Sequence, residues 1–222
     1  MINITGMKKI ITTILAASMM LIGTTAFAQA SIGAGYLNET NKAVVSNTNV
    51  NMGALNGFYA GFGYDVNEGE GFGISTGVYY SYLAGKVSIP SLSFISGDLV
   101  EHAINIPVRP GFLVPVGSGI KGFINAGPTF VCGLSSHIKP LGLDIAETDN
   151  YKHEYLGRFD IMVGGALGLE ISDMIRISAG YDLGMLDQFG AGIKGKNEDG
   201  STKDSAFSLK RNRITVGLSF LF

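Results

Sequence analysis

Apolar and polar residues alternate along most of this chain, and the last strand-like segment shows the pattern most plainly. Between Arg211 and Phe222, one face is apolar: Ile214, Val216, Leu218, Phe220 and Phe222. The other face carries two arginines, Arg211 and Arg213, among mostly small residues. A period of two is that of a β-strand. An apolar face opposite a polar face with charges is typical of a strand whose outside meets lipid and whose inside lines a barrel.

Eight segments with this period follow one another, near the ~9–11 residues of a tilted spanning strand or somewhat longer. They are 31–38, 53–66, 71–84, 99–115, 120–135, 157–171, 175–187 and 206–222. Pro107 and Pro128 fall inside two of them and predict bulges or kinks, because proline donates no ladder hydrogen bond. Beyond the first 30 residues no apolar run reaches the ~18–20 residues of a spanning helix.

The connections between these segments alternate between long and short. The long ones are 39–52, 85–98, 136–156 and 188–205, and the short ones are 67–70, 116–119 and 172–174. Outer-membrane barrels have an even number of strands, short periplasmic turns and long external loops. The pattern therefore predicts an all-β fold, an eight-stranded antiparallel transmembrane β-barrel with both termini periplasmic. A soluble β-sandwich is the second possibility, and it would reproduce only part of the alternation.

The first 30 residues have the features of a cleaved signal peptide. Lys8 and Lys9 precede an apolar run, and small residues then form two possible cleavage motifs, Ala26-Phe-Ala28 and Ala28-Gln-Ala30. We therefore predict export, with residues 31–222 forming one barrel domain. No cysteine follows either motif, which argues against a lipid anchor.

Charge and cysteine content exclude further classes. Loss of Lys8 and Lys9 with the signal, and of no acidic residue, changes the net charge from −2 to −4. The mature chain is therefore acidic, and it lacks the clustered positive charge that binding to nucleic acid requires. The single cysteine, Cys132, excludes an internal disulfide and is interpreted as a small apolar strand residue. The 32 glycines suit a narrow barrel interior in which small residues leave room for larger ones.

Several stretches resemble the outer-membrane β-barrel domain family of small, eight-stranded, porin-like proteins. These are Ala103-Ile-Asn-Ile-Pro-Val-Arg109, Phe123-Ile-Asn-Ala-Gly-Pro128, Phe159-Asp-Ile-Met-Val-Gly-Gly-Ala-Leu-Gly-Leu-Glu170, Ser178-Ala-Gly-Tyr-Asp-Leu-Gly184 and Lys210-Arg-Asn-Arg213. The resemblance covers essentially the whole mature chain. It implies an outer-membrane protein in contact with outer-membrane lipids, and no catalytic residues. It also implies that the barrel-assembly machinery reads the last strand, with Phe220 and Phe222 as the assembly signal.

Charged residues recur on the predicted inner faces of the strands. They are Glu101, Arg109, Arg158, Asp160, Glu170, Arg176, Asp182, Arg211 and Arg213. Eight strands leave an interior only wide enough for side chains, so these charges must pair. The turn centred on Asp173 sets Glu170 across from Arg176. We predict a salt-bridged plug, and the alternative is a lining that selects ions in a narrow water path.

The histidines offer no catalytic or metal-binding arrangement. His102 is predicted on the lipid side of the fourth strand with Ile104 as its same-face neighbour, and with no serine or aspartate beside it. His137 and His153 fall in the third long loop, with no cysteine at metal-ligand spacing. We therefore predict no enzyme, no cofactor and no metal.

The third long loop, 136–156, is the best candidate for a partner or ligand surface, and a solvated loop without a specific partner is the alternative. The predicted protein is a monomeric outer-membrane barrel with a structural or interaction role. Two alternatives stay open: a narrow porin-like channel for water, ions or small solutes, and an accessory barrel of a secretion apparatus.

Overall fold

The computed structural model describes residues 28–45, 48–67, 71–88, 97–140, 148–195, 197 and 207–222. Its strands are β1 (Ala28–Val45), β2 (Thr48–Asn67), β3 (Gly71–Val87), β4 (Gly97–Gly117), β5 (Ile120–Pro140), β6 (Thr148–Asp149), β7 (Phe159–Ile171), β8 (Ile175–Gly184) and β9 (Ser208–Leu221), and one short helix, α1, spans Ala191–Lys194. Residues 1–27, most of the predicted signal peptide, lie outside the described residues.

Eight of these strands form a closed antiparallel barrel, which confirms the predicted fold. Each long strand pairs with its neighbours along the chain, and β9 returns to pair with β1 from Ser31↔Leu221 to Val44↔Ser208. The two-residue strand β6 pairs only with β5, at His137 and Ile138. Closure leaves no open edge, which is the condition for β-structure in lipid.

The first predicted loop, 39–52, is largely strand, and this prediction is wrong. β1 and β2 stay paired from Ala28↔Val66 to Val45↔Thr48, with one register shift between Asn41 and Lys42. The strands continue because the barrel buries their inner-facing residues beyond position 38, among them Glu39 and Ala43. We call the end with the short turns and the termini the turn end, and the opposite end the loop end.

Pro107 and Pro128, where bulges or kinks were predicted, do not shift the strand register. The shifts in the β4–β5 pairing lie between His102 and Ala103 and between Pro115 and Gly117. At Pro107 the ladder with β3 is interrupted but resumes in the same register, with Thr76↔Val108 on one side and Tyr79↔Asn105 on the other. A missing N–H is therefore tolerated here without an inserted residue.

The outer face of the barrel carries an exposed apolar band. Phe62 is 66% exposed, and Ile124 and Leu167 are each 60% exposed. Water would disfavour a continuous apolar belt of this kind, whereas a hydrocarbon environment requires it. Among the described residues, no helix is long and apolar enough to cross a membrane.

At the loop end, the inner face changes from polar to apolar. A cluster of buried side chains fills this end: Leu37, Ala43, Met52, Leu55, Leu83, Val87, Leu99, Ile138, Tyr151, Leu156, Phe189 and Leu209. Three members, Tyr151, Leu156 and Phe189, come from two segments that we call the lid, residues 148–157 and 185–195. The two lid segments are joined by backbone bonds from Gly157 N to Gln188 O at 2.8 Å and from Gly190 N to Tyr155 O at 2.9 Å. The lid therefore closes the loop end over an apolar core.

Candidate functional site: the charged barrel interior

Nearest the turn end, Arg176 joins two buried acids. Its Nη2 donates to Glu170 Oε2 at 2.7 Å, and its Nη1 donates to Asp65 Oδ2 at 2.5 Å. Lys121 Nζ lies 3.9 Å from Glu170 Oε1 and 2.6 Å from Asp173 Oδ1 in the β7–β8 turn. The hydrogen bond and positive charge of Lys121 lower the pKa of the exposed Asp173 carboxyl. This group of side chains forms the turn-end layer of ion pairs.

Further into the barrel, Arg109 crosses the bore from β4 to β8. Its Nη2 donates to both carboxylate oxygens of Asp182, at 2.6 and 2.8 Å, and to Thr129 Oγ1 at 3.0 Å. Asp182 is 2% exposed. A charge-assisted contact between strands on opposite sides of a narrow barrel reduces its free cross-section.

A third layer lies closer to the loop end and is built on β9. Arg211 donates to both oxygens of Glu101, at 3.0 and 3.1 Å. Arg213 donates to Glu39 Oε2 from Nη2 at 2.7 Å and to Asn105 Oδ1 from Nη1 at 2.7 Å. Glu39 also lies 3.5 Å from Arg211 Nη1, so the two arginines and two glutamates form one network. Each charge is compensated, as burial requires.

Two of the predicted interior charges are placed differently from the rest. Asp160 is buried and accepts a bond from the Leu186 backbone N–H at 3.3 Å, but its Oδ2 has no hydrogen-bond partner among the described residues. Arg158 is exposed, although it lines a small cavity at the loop end together with Glu101, Asp160 and Arg211. It precedes β7, and its guanidinium stacks on the Tyr151 ring at 4.7 Å, so it lies at the mouth of the barrel beside the lid.

Sequence reasoning missed two interior acids, Glu39 and Asp65. Glu39 fell in the predicted loop 39–52, and Asp65 lies near the end of its predicted strand, 53–66. The alternation itself could have found both. Glu39 continues the inner face of Ser31 and Leu37, and Asp65 continues that of Tyr59.

A cavity of about 140 Å³ lies in the bore and extends from Asp65 and Arg176 of the turn-end layer, past Arg109 and Asp182, to Asn105 and Arg213. Hydroxyl groups from Tyr59, Tyr79 and Ser178 line it together with the ion-paired arginines. At ~30 Å³ for each molecule in liquid water, a cavity of this size has room for a few waters. Three other cavities in the described part of the protein are much smaller, at about 10–20 Å³.

Glycines provide the space that the interior aromatic rings occupy. A Cβ on Gly217 would overlap the Tyr59 hydroxyl, and a Cβ on Gly133 would overlap the Tyr151 ring. Tyr59 and Tyr79 contact each other edge to face at 5.8 Å. The glycine-rich strands therefore allow a barrel of this width to be filled by large side chains.

The lid is fixed at its first turn by Asp149. The carboxylate accepts bonds from the backbone N–H groups of Tyr151 at 2.9 Å and Lys152 at 3.1 Å. Burial opposes ionisation of this group, but these hydrogen bonds outweigh it and lower the pKa of Asp149. Burial raises the pKa of the Tyr151 hydroxyl. An ionised Asp149 and a neutral, buried Tyr151 thus hold the lid segment in place.

The histidines lie apart from the charged interior. On the outer face, His102 Nδ1 is hydrogen-bonded to the Tyr80 hydroxyl, and its ring contacts Tyr82 edge to face. His153 stacks on Tyr155 at the exposed surface of the lid. Within the described ranges, no group of three His, Cys, Asp or Glu side chains could hold a metal ion.

The last strand ends with aromatic rings at the turn end. Phe220 and Phe222 are 56% and 71% exposed on the outer face. The backbone of Phe222 exchanges two hydrogen bonds with Ala30, N to O at 2.9 Å and O to N at 3.1 Å. The chain terminus is therefore part of the closing seam between β9 and β1.

Comparisons with known proteins relate this geometry to a family. A model of the family described as outer membrane protein beta-barrel domain matches residues 25–190, more than half of the chain. No curated protein matches. Ail, the attachment invasion locus protein of Yersinia pestis, is 14% identical with a TM-score of 0.44 over 88% of this chain and 99% of that structure. Neisserial surface protein A (NspA) is 13% identical with a TM-score of 0.44, over 87% and 99%. OprG of Pseudomonas aeruginosa is 9% identical with a TM-score of 0.46, over 88% and 96%.

Proposed function

The chain belongs to the outer membrane protein beta-barrel domain family, and we propose that it forms a closed, non-conducting barrel that holds a rigid platform outside the outer membrane. The platform consists of the lid and the loop-end parts of β1 to β5. Its role is structural or interactive: it contacts a partner or ligand of the cell envelope or its surroundings. The observation that supports the proposal is the series of three ion-pair layers along the bore, beneath a lid packed on apolar residues.

The three layers argue against passage of ions. They follow one another along the bore at Arg176, Arg109 and the Arg211–Arg213 network. An ion that passed would have to displace paired side chains, and an unpaired buried charge costs several kcal/mol. The apolar cluster above them adds a barrier of a different kind, because it gives no polar contact to a dehydrated ion.

The same apolar cluster supports the platform role. Exposed loops without a core are mobile and present no fixed surface. Here Leu156 is 6% exposed and Phe189 3% exposed, so the lid is anchored by burial. Lys152, His153 and Glu154 stay exposed at its surface, which leaves them available for contact. Residues 141–147 of the predicted partner loop lie outside the described residues.

The platform faces the cell exterior if this barrel follows the rule that the short turns are periplasmic. Single cysteines placed in a Cys132→Ala background test this orientation. In intact cells, a membrane-impermeant maleimide should label Lys152→Cys and spare Ser118→Cys, and both should react once the cells are broken. Labelling of Ser118→Cys alone would show the opposite orientation, in which the platform faces the periplasm.

A narrow channel is the second candidate, and one observation favours it. The cavity of about 140 Å³ extends past the Arg109–Asp182 pair, and hydroxyl, amide and ion-paired groups in its wall could contact a passing solute. It would serve a channel only if the side chains on both sides of it moved apart. Conductance of the purified barrel in a planar bilayer separates the two candidates.

A further inference from the structure

Two cleavage motifs overlap at the end of the leader, and the barrel seam distinguishes between them. Cleavage after Ala28 would leave Gln29 as the first residue, whereas cleavage after Ala30 would leave Ser31. Both motifs have small residues at the two positions that such sites require. The sequence therefore permits either product. The two products differ in whether Gln29 and Ala30 are kept in the mature barrel.

Gln29 and Ala30 are both used in closing the barrel. Ala30 exchanges two backbone hydrogen bonds with Phe222, at 2.9 and 3.1 Å. Gln29 pairs with Asp65 of β2, and its side-chain Nε2 donates to the Asp173 backbone oxygen at 3.0 Å. These contacts connect the start of β1 to the end of β9, to β2 and to the β7–β8 turn. Cleavage after Ala30 would remove all of them and leave the backbone of Phe222 without its strand partner.

The new α-ammonium group also favours the earlier site. On Ser31 it would form at a residue that is paired with both neighbouring strands, with Gly63 of β2 and Leu221 of β9. A charged terminus at that position would lie in the seam itself. On Gln29 it would form at a partly exposed residue at the turn end.

Ala28 pairs with Val66 of β2 but not with β9, so its loss leaves the β1–β9 seam intact. We infer that the leader is removed between Ala28 and Gln29, and that Gln29 and Ala30 belong to the mature barrel as closing contacts. The barrel domain therefore begins two residues before the Ser31 boundary that the strand pattern gave. This processing site uses Ala26 and Ala28 as its small residues, and Ala30 lies beyond it.

Mass spectrometry of the protein purified from outer membranes tests the inference directly. The N-terminal tryptic peptide ends at Lys42, and we expect it to begin at Gln29. A peptide that begins at Ser31 would overturn the proposal.

Two matched substitutions test which motif is read. Ala26→Tyr alters only the earlier motif and should abolish the Gln29 terminus, so that precursor accumulates or cleavage moves to the later motif and leaves Ser31 first. Ala30→Tyr alters only the later motif and should leave processing and the Gln29 terminus unchanged. Because cleavage precedes barrel folding, a folding defect does not obscure this readout. Blocked processing in Ala30→Tyr with normal processing in Ala26→Tyr would contradict the inference.

A deletion tests the structural reason. A precursor that lacks Gln29 and Ala30 carries Ala28 directly before Ser31, so it should be cleaved to a chain that begins at Ser31. That chain should give several-fold less folded, heat-modifiable barrel than the parent, whereas the control Gln29→Ala, which keeps the backbone, should fold close to normally. Equal yields from the deletion and the parent would show that the two residues do not close the barrel.

Discussion

Glu170 and Arg176 face each other across the β7–β8 turn, with Glu170 Oε2 and Arg176 Nη2 2.7 Å apart inside the barrel. The alternation of the sixth and seventh predicted strands and the turn at Asp173 place these two residues together. The same guanidinium also bonds Asp65, on the distant strand β2. Glu170, Arg176 and Asp65 therefore form a triad in which both carboxylates share the Arg176 guanidinium. Loss of Arg176 affects both acids, whereas loss of Glu170 leaves the pair of Arg176 and Asp65.

The triad predicts unequal effects of removing its members. Arg176→Met should destabilise the barrel by about 3–5 kcal/mol, because it leaves two buried carboxylates without their shared cation. Glu170→Gln should cost about 1–2 kcal/mol, because Arg176 keeps Asp65 and the new amide can still accept a hydrogen bond. Denaturant unfolding of the detergent-folded barrel, followed by circular dichroism, measures both. Equal losses would mean that Asp65 does not share the guanidinium.

The lid should open when a substitution at Gly133 fills the space that the Tyr151 ring occupies. Gly133→Ala places a methyl group where the Tyr151 ring lies, and overpacking of this kind costs about 1–3 kcal/mol. Lys152 is already exposed, but displacement of Tyr151 should loosen the lid backbone around it and so allow trypsin to cleave there. Limited proteolysis of the folded barrel followed by mass spectrometry measures cleavage at that site.

Gly117→Ala is the matched control, because a Cβ on Gly117 meets no atom within 4 Å. It should leave cleavage at Lys152 unchanged. Equal rates in Gly133→Ala and the parent would show that Tyr151 does not hold the lid closed.

The lid should also loosen in acid through Asp149. The pKa of Asp149 is lower in the folded lid than its ordinary value. The stability it contributes is therefore present above the unfolded-state pKa of about 4 and is lost as the pH falls through the folded value. Cleavage within the lid by an acid-active protease should rise below about pH 4 in the parent. Asp149→Asn keeps an acceptor for the two N–H bonds and should remove the pH dependence. A parent lid that is equally resistant at pH 3 and pH 6 would contradict this role.

The terminal residue should matter for assembly more than for export. Phe222→Asp places a charge on the outer face at the turn end, where an aromatic ring suits the membrane interface. We expect normal signal removal, a lower amount of outer-membrane barrel and accumulation or degradation of the protein in the periplasm. Phe222→Tyr keeps the ring and should behave like the parent. Undiminished, heat-modifiable barrel from Phe222→Asp would mean that Phe222 is not the assembly signal.

The alternation of apolar and polar residues predicted those strands of this protein in which one face meets lipid. It gave the closed eight-stranded barrel and the facing positions of Glu170 and Arg176, because there the contrast between an apolar outside and a polar inside is strong. It ended β1 at residue 38, because beyond that point the outward residues Thr40 and Lys42 are polar and the inward residues Glu39 and Asn41 are polar as well. The contrast between the two faces thus disappears there, and a strand without this contrast was predicted as a loop.

The partners of interior charges were harder to predict than their positions. Neighbouring strands can be aligned through a short turn, which is how Glu170 and Arg176 were matched. Arg109 and Asp182 are 73 residues apart and meet across the bore. Their contact depends on barrel radius and strand stagger, which no local pattern encodes. The predicted strand began at residue 157, two residues before β7 starts at Phe159, so the alternation could not show that Arg158 lies exposed at the mouth of the barrel.

The filled bore is tested most directly by single-channel recording of the refolded protein in a planar lipid bilayer. The account predicts no steady current from the parent, and none from Gly133→Ala, because the ion-pair layers at Arg109 and Arg176 close the bore beneath the lid. A steady, ion-selective current in the parent, with a selectivity that changes in Arg109→Gln, would contradict the closed barrel and establish a narrow channel.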